Sequence, residues 1–111
     1  MAVPGRGDLV WIDSTPNAVH EQAGRRPALV LSPREYHRLT KFAVVCPITS
    51  TIKGHPFEVV LPMGLGFSGA VLTDQVKSID RNARRIEPVG KAPDSVIQEV
   101  LARIGPLLGI Q

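Results

Sequence analysis

Glycine and proline divide this chain into short apolar runs. Ten glycines and ten prolines occur among 111 residues. Proline removes a backbone N–H and breaks the interior of a helix, whereas short apolar runs bounded by turn residues are typical of strands. The pattern therefore predicts many short strands joined by turns, a mainly β (β-rich α+β) fold, rather than a helical bundle.

The chain has the size of one domain. With 43% hydrophobic residues over 1–111, it can bury a modest core. Its single cysteine, Cys46, cannot form an internal disulfide, which suits a reducing cytoplasmic setting. The first residues lack the apolar core of a signal peptide, and no run approaches the roughly 18 apolar residues of a membrane span. We expect a cytoplasmic protein with no membrane partner.

The apolar runs locate the expected elements. Strands are predicted at 7–14, 28–31, 42–48, 57–61, 69–76 and 84–89, a short helical turn at 33–40 and a helix at 95–108. Trp11 is expected to anchor the first strand in the core. Pro47 should place the end of its strand at an edge or bulge.

Capping residues set the expected helix ends. Ser32 should cap the short helical turn. Ser95 with Gln98 resembles a capping box, while Pro93 offers an alternative start for the final helix. Pro106 should kink or end that helix.

Two adjacent arginines mark the stretch of most functional interest. Residues 15–26 form a polar connection longer than an ordinary hairpin loop, a length typical of binding loops. Arg25 and Arg26 follow it, at the mouth of the apolar run 28–31. A guanidinium held by a rigid strand matches the geometry of a phosphate, although two solvated loop charges explain the pair equally well.

Basic charge is concentrated in two segments. Residues 21–41 and 77–91 each contain five basic and two acidic residues, although the whole chain carries only +3. A net charge this small does not establish a nucleic-acid partner. The two segments can lie side by side as one anion-binding face or remain separate solvated patches.

Three blocks of sequence resemble the signature blocks of the MazF/PemK toxins, in the same order and spacing. They are EQAGRRPALVLSP at 21–33, CPITSTIKGHPFEVVL at 46–61 and LTDQVKSID at 72–80. The resemblance implies an SH3-like small barrel of the MazF/PemK/CcdB type with a C-terminal helix. It also implies a homodimeric, sequence-specific endoribonuclease of a type II toxin–antitoxin system, which cleaves single-stranded RNA, principally mRNA, and is inhibited by a cognate MazE-like antitoxin.

The resemblance carries catalytic roles onto Arg26 and Thr49, and Glu21, a carboxylate beside the loop that can accept a proton or orient Arg26, is the third catalytic candidate. The family cuts RNA without a metal or other cofactor, by attack of the ribose 2′-hydroxyl, and leaves a 2′,3′-cyclic phosphate and a 5′-hydroxyl. Arg26 would stabilise the charge of the transition state, Thr49 would hydrogen-bond a phosphate oxygen and Glu21 would orient Arg26. From the residues alone, Thr49 is better explained as a strand-end hydroxyl that satisfies its own turn. The three histidines show no metal-ligand spacing.

Further positions are expected to bind RNA: His20, Gln22, Gly24, Arg25, Lys53, Gln75, Lys77 and Ser78. Ordinary surface roles remain open for His20, Lys53 and Lys77, and Gln75 can read a base edge or satisfy backbone groups. All five aromatic residues are assigned to the core, so the surface should read RNA with amides, backbone groups and arginine planes.

Two other classes of function fit a barrel of this kind. One is a CcdB-like toxin, which poisons gyrase by binding and cleaves nothing. The other is a non-catalytic SH3-like module that binds RNA or a peptide. Cleavage of single-stranded RNA without a metal separates the nuclease from both, and a supercoiling assay identifies the gyrase poison.

Overall fold

The computed structural model describes residues 3–13 and 24–110, which form an antiparallel sheet with two α-helices. The elements, in chain order, are β1 (Asp8–Asp13), β2 (Arg25–Val30), α1 (Arg34–Leu39), β3 (Phe42–Thr49), β4 (Glu58–Val60), β5 (Ala70–Leu72), a 3-10 turn (Thr73–Gln75), β6 (Lys77–Asp80), β7 (Ile86–Lys91) and α2 (Asp94–Leu107). The predicted fold class, β-rich with a C-terminal helix, is confirmed. In the described part of the chain, no helix is long and apolar enough to span a membrane.

Strand β3 is the centre of the sheet. The strands follow the open path β4-β5-β3-β2-β1-β7, and β6 pairs with β3 beside this path. β3 pairs with β2 along one edge. Along its other edge it pairs with β6 near its start and with β5 at its end. β5 also pairs with β4, so the end of β3 connects β4 and β5 to the rest of the sheet.

Alternation along the strands buries apolar side chains on both faces of the sheet. One face contributes Leu9, Leu29 and Cys46 to a core that α2 covers with Val96, Val100 and Ile104. The other face forms a second core, consisting of Val10, Ile12, Ala28, Val30, Ala43, Val45, Ile79 and Ile86. All four residues of the run 28–31 are buried, so this run is buried on both faces of the sheet.

The predicted strand at 69–76 is present only over Ala70–Leu72, because the chain turns at Thr73. The backbone N–H and the hydroxyl of Thr73 both donate to the carbonyl oxygen of Phe57, at 3.1 and 2.7 Å. This anchor is fully buried and ends β5 at Leu72. A 3-10 turn over Thr73–Gln75 follows, and β6 then begins at Lys77, a strand that the sequence did not predict.

β2 begins at Arg25, so the two arginines lie within the strand and not in a loop at its mouth.

Prolines occupy places in the sheet where a missing N–H is tolerated. β2 pairs with β3 only from Ala28 onward, which leaves Pro27 with one unpaired edge. Pro47 lies where the partner of β3 changes from β6 to β5, as its predicted edge position requires.

Proline also begins both α-helices. Pro33 and Pro93 are the capping residues of α1 and α2, and neither helix has a side-chain cap. The caps predicted at Ser32 and Ser95 are therefore wrong, and Pro93 marks the start of α2. Pro106 is followed by only one more helical residue, as expected of a proline that ends a helix.

Candidate active site

A cavity of about 480 Å³ opens where β2 begins and β3 ends. Ten residues line it: Trp11, Arg25, Arg26, Pro27, Ile48, Thr49, Ser50, Gly66, Phe67 and Ser68. Two of the three predicted catalytic residues, Arg26 and Thr49, are thus brought together. The third, Glu21, lies outside the described residues.

The register of the sheet explains why Arg26 meets Thr49. β2 and β3 are antiparallel, and Ala28 is paired with Pro47. Continued by two residues, the same register sets Arg26 opposite Thr49, on the same face of the sheet. Arg26 is exposed and Thr49 is half-buried, so both can contact a ligand in the cavity.

The hydroxyl of Thr49 organises the turn that follows β3. It accepts a hydrogen bond from the N–H of Thr51 at 3.1 Å and donates to the carbonyl of the same residue at 3.4 Å. The strand-end role that the residues alone left open is therefore present. A hydroxyl has one donor and two acceptor sites, and the donor contact is long, so the turn leaves Thr49 able to donate to a ligand.

Arg25 lies on the other side of the cavity opening and is held in two ways. Its Nη1 donates to Oε1 of Glu87 at 2.7 Å. Its guanidinium carbon stands 5.1 Å from the centre of the Trp11 ring, over the ring face. The rings of Trp11 and Phe67 pack in a T shape, with ring centres 4.8 Å apart and planes at 82°.

The prediction that all five aromatic residues serve the core is wrong. Trp11 is only half-buried, and together with Phe67 it lines the cavity. Tyr36 and Phe57 are also half-buried and Phe42 is exposed, because the core is filled by aliphatic side chains. Sequence reasoning thus missed Trp11, Phe67 and Glu87. The available signal was Trp11 beside Asp13, at the polar end of an otherwise apolar strand.

Other predicted RNA-binding residues lie away from the cavity. Gln75 is exposed in the 3-10 turn, and Lys77 and Ser78 are exposed on β6. Lys77 pairs with Val45, four residues before Thr49, and four residues of strand span about 13 Å. These positions can only contact a ligand that extends beyond the cavity.

The remaining predicted positions differ in how far the structure describes them. Gly24 is half-buried directly before β2. Lys53 is exposed in the connection after β3. His20 and Gln22 lie outside the described residues.

Glu58 holds the connection that carries Lys53. Its buried carboxylate accepts hydrogen bonds from the backbone N–H groups of Lys53 at 3.1 Å and Gly54 at 2.7 Å. Burial opposes the charge of this carboxylate, but those N–H groups and the charges of His55 and Lys53 outweigh it, so the pKa of Glu58 is lowered. The ionised carboxylate of Glu58 thus holds the backbone of Lys53 and Gly54 in place.

The two basic segments lie side by side. Arg25 of the first segment pairs with Glu87 of the second, and Nη2 of Arg81 donates to the carbonyl of His37. The sequence left open whether the two basic segments lie side by side or apart, and in the structure they lie side by side.

Neither a metal cluster nor a reactive thiol is evident in the described residues. Within 3–13 and 24–110, no group of three or more His, Cys, Asp or Glu side chains could hold a metal ion. Burial raises the pKa of Cys46 to about 12, and the charge of Asp74 adds to the rise, so this thiol stays protonated.

Residues 5–108 match the family described as PemK-like, MazF-like toxin of type II toxin-antitoxin system. The chain belongs to this family. The match spans both strands that contribute Arg26 and Thr49, as well as the C-terminal helix. The family resemblance that the three sequence blocks indicated is therefore confirmed.

Named relatives and solved structures agree with this membership. Over 107 residues, the chain is 45% identical to the endoribonuclease toxin MazF of Escherichia coli K12, covering 96% of each chain. It is 35% identical to the Escherichia coli endoribonuclease PemK, covering 93% of this chain and 80% of the relative. MazF in a MazE–MazF crystal structure from Deinococcus radiodurans is 51% identical, with a TM-score of 0.93 and full coverage of both chains.

Proposed function

We propose that this MazF/PemK-family chain is an endoribonuclease toxin that cuts single-stranded RNA at specific sequences without a metal ion. Its relatives at 45% and 35% identity are named endoribonucleases. We therefore assign this chain to the same enzyme class. The observation that carries the proposal is the meeting of Arg26 and Thr49 at one cavity. An arginine beside a hydroxyl, at the mouth of a cleft, is suited to a phosphodiester.

The proposed reaction is an attack of the ribose 2′-hydroxyl on the adjacent phosphorus. The new P–O bond closes a 2′,3′-cyclic phosphate while the bond to the 5′-oxygen breaks, and that oxygen leaves as a hydroxyl. One proton must leave the 2′-oxygen and one must reach the 5′-oxygen. Negative charge accumulates on the non-bridging oxygens of the phosphorane, and these oxygens are what the site must stabilise.

Arg26 supplies this stabilisation in our proposal. Its guanidinium is a fixed cation, so it donates hydrogen bonds and positive charge without exchanging its proton. Thr49 donates its hydroxyl to a non-bridging oxygen while it retains the hydrogen bond from Thr51. Glu21 is proposed to orient Arg26. None of these three residues is assigned to transfer either of the two protons.

The partner proposed for this chain is a MazE-like antitoxin bound to a homodimer. Its relative from Deinococcus radiodurans is solved as a MazE–MazF complex at 51% identity. The described chain exposes several large apolar side chains, among them Leu39, Val60 and Met63, which a second subunit or the antitoxin can cover. Light scattering that gives a 12.0 kDa particle at tens of micromolar would exclude the homodimer.

Cleavage of RNA by the purified protein in excess EDTA tests the proposal. We expect internal cuts in single-stranded RNA, cyclic phosphate at one new end and hydroxyl at the other. A substrate with one 2′-deoxy sugar at a mapped cut site should resist cleavage at that site alone. Cutting of the deoxy site would exclude 2′-hydroxyl attack. No RNA cleavage, with inhibition of supercoiling by gyrase, would identify a non-enzymatic CcdB-like toxin instead.

A further inference from the structure

Arg25, Trp11 and Glu87 share one face of the sheet. Trp11 in β1 is paired with Pro27 on one side and with Glu87 of β7 on the other. Arg25 is two residues before Pro27, so strand alternation puts it on the same face, diagonal to Trp11. Sheet register alone therefore sets these three side chains next to one another, at the edge of the cavity that contains Arg26 and Thr49.

Two contacts fix the guanidinium of Arg25 over the Trp11 ring. The ion pair with Glu87 is short, at 2.7 Å, and the ring centre is 5.1 Å from the guanidinium carbon. An exposed ion pair contributes little on its own. Here the indole face adds a second restraint, since a guanidinium stacks on an aromatic ring. Phe67 is buried and packs against Trp11 in a T-shaped arrangement, with ring centres 4.8 Å apart, which supports the indole.

Glu87 also changes what Arg25 can bind. A carboxylate at 2.7 Å partly offsets the charge that a phosphate would seek. One face of the guanidinium lies over the indole, and the side chain is still 49% exposed, so Arg25 remains accessible to a ligand. A planar cation with its charge already paired is a better surface for a nucleobase than for a phosphate. Arg26, by contrast, has no ion pair within the described residues and is available for phosphate.

We propose that Arg25 and Trp11 form a stacking subsite for one nucleobase of the RNA, with Glu87 and Phe67 as positioning residues. The subsite rests on the proposed ribonuclease function and specifies how one base is held beside the cut. The base stacks on the outer face of Arg25, and the indole supports the guanidinium from below. Every base has a π-face, so the subsite adds affinity and register without demanding one base.

The salt dependence of RNA binding separates stacking from phosphate contact. Each phosphate neutralised on single-stranded RNA contributes about 0.7 to the slope of log affinity against log salt. Binding is measured with a fluorescein-labelled RNA that spans a mapped cut site, in a Thr49→Ala background that does not cleave. The charge-matched variant combines Arg25→Gln with Glu87→Gln, which removes both charges and leaves the net charge unchanged. Arg25→Lys keeps the charge and removes the plane.

The subsite predicts that both variants lose affinity by about 10-fold, as expected for one stacked base. The salt slope should stay at the parent value in both. Glu87→Gln alone should steepen the slope by about 0.7, because it frees the charge of Arg25 for phosphate. A purely structural role of Glu87 would not move this slope.

The opposite pattern overturns the subsite. If Arg25→Lys binds RNA like the parent, and the charge-matched variant lowers the salt slope by about 0.7, Arg25 is a phosphate ligand. Thermal melting of each variant reports on folding, and the charge-matched variant keeps the test decisive if Arg25→Lys is unstable. Failure of the ribonuclease function itself would appear separately, as uncut RNA with the unmodified protein.

Discussion

The carbonyl oxygen of Thr49 lies against the backbone of Gly69, so close that a Cβ on Gly69 would stand 1.9 Å from it. Gly69 also has φ +124°, a region that residues with a side chain rarely adopt. The next residue, Ala70, pairs with Thr49 across β5 and β3. The end of β3 that carries Thr49 is thus held by a glycine for which no other residue can substitute.

Gly69→Ala should therefore disturb both stability and cleavage. The added Cβ forces the backbone of Thr49 away, and we expect a loss of at least about 1–3 kcal/mol in the free energy of unfolding. RNA cleavage should fall further than the change in folded fraction explains. Gly64→Ala is the matched control, since Gly64 has φ +88° but nothing within 4 Å of its Cβ position. Equal cleavage losses in the two variants, measured at equal folded fraction, would contradict this account.

A second prediction concerns a buried network around Ser32. Its hydroxyl accepts from the N–H of Val44 at 2.8 Å and lies 2.5 Å from Nε2 of His37. Nδ1 of His37 lies 2.7 Å from the carbonyl oxygen of Pro4. Ser32→Ala leaves buried groups unpaired, so urea unfolding should show a loss of about 1–3 kcal/mol.

Ser95→Ala is the control for this measurement. Ser95 is exposed and caps no helix in the structure, so its loss should change stability by less than about 0.5 kcal/mol. If Ser95→Ala costs as much as Ser32→Ala, the serine roles assigned here are wrong.

A third prediction is a pH dependence due to Glu58. The pKa of Glu58 is below its ordinary value of 4.5, so folding favours the ionised form. This stabilisation is fully present above about pH 4.5 and is lost as the pH falls through the lower pKa of the folded state. Glu58→Gln should lower Tm at pH 7, and its Tm should converge with that of the parent in acid.

Glu99→Gln tests whether this effect is specific to Glu58. Glu99 forms an exposed ion pair with Arg103 at 3.3 Å. Such pairs contribute only about 0.2–0.5 kcal/mol to stability. Its melting temperature should follow the parent at both pH values. A Glu58→Gln protein whose Tm runs parallel to the parent down to pH 3 would contradict the assigned role.

Local patterns in the sequence predicted much of the fold. Apolar runs located β1, β2, β3 and β4, and the spacing of apolar residues located α2 to within one residue at each end. β6 was missed because the turn before it depends on the hydrogen bonds from Thr73 to Phe57. A contact between distant residues leaves no local pattern.

The same limit applies to the site. Arg26 and Thr49 were assigned from the family resemblance, since the residues alone explained Arg26 equally well as a solvated charge and favoured a turn hydroxyl for Thr49. The cluster of Trp11, Arg25 and Glu87 was missed, because it joins three strands through the register of the sheet. Only a structure brings these side chains together.

The single-turnover rate of RNA cleavage by Arg26→Ala at saturating RNA tests the central claim most directly. Because Arg26 is proposed to stabilise the charged transition state, its loss should slow cleavage by about 10²–10³ while the melting temperature is retained. Arg25→Ala is the control at the neighbouring position. It should weaken RNA binding, but it should slow cleavage at saturating RNA far less than Arg26→Ala does. If Arg26→Ala cleaves within a few-fold of the parent, Arg26 is not the catalytic arginine and the proposed site is wrong.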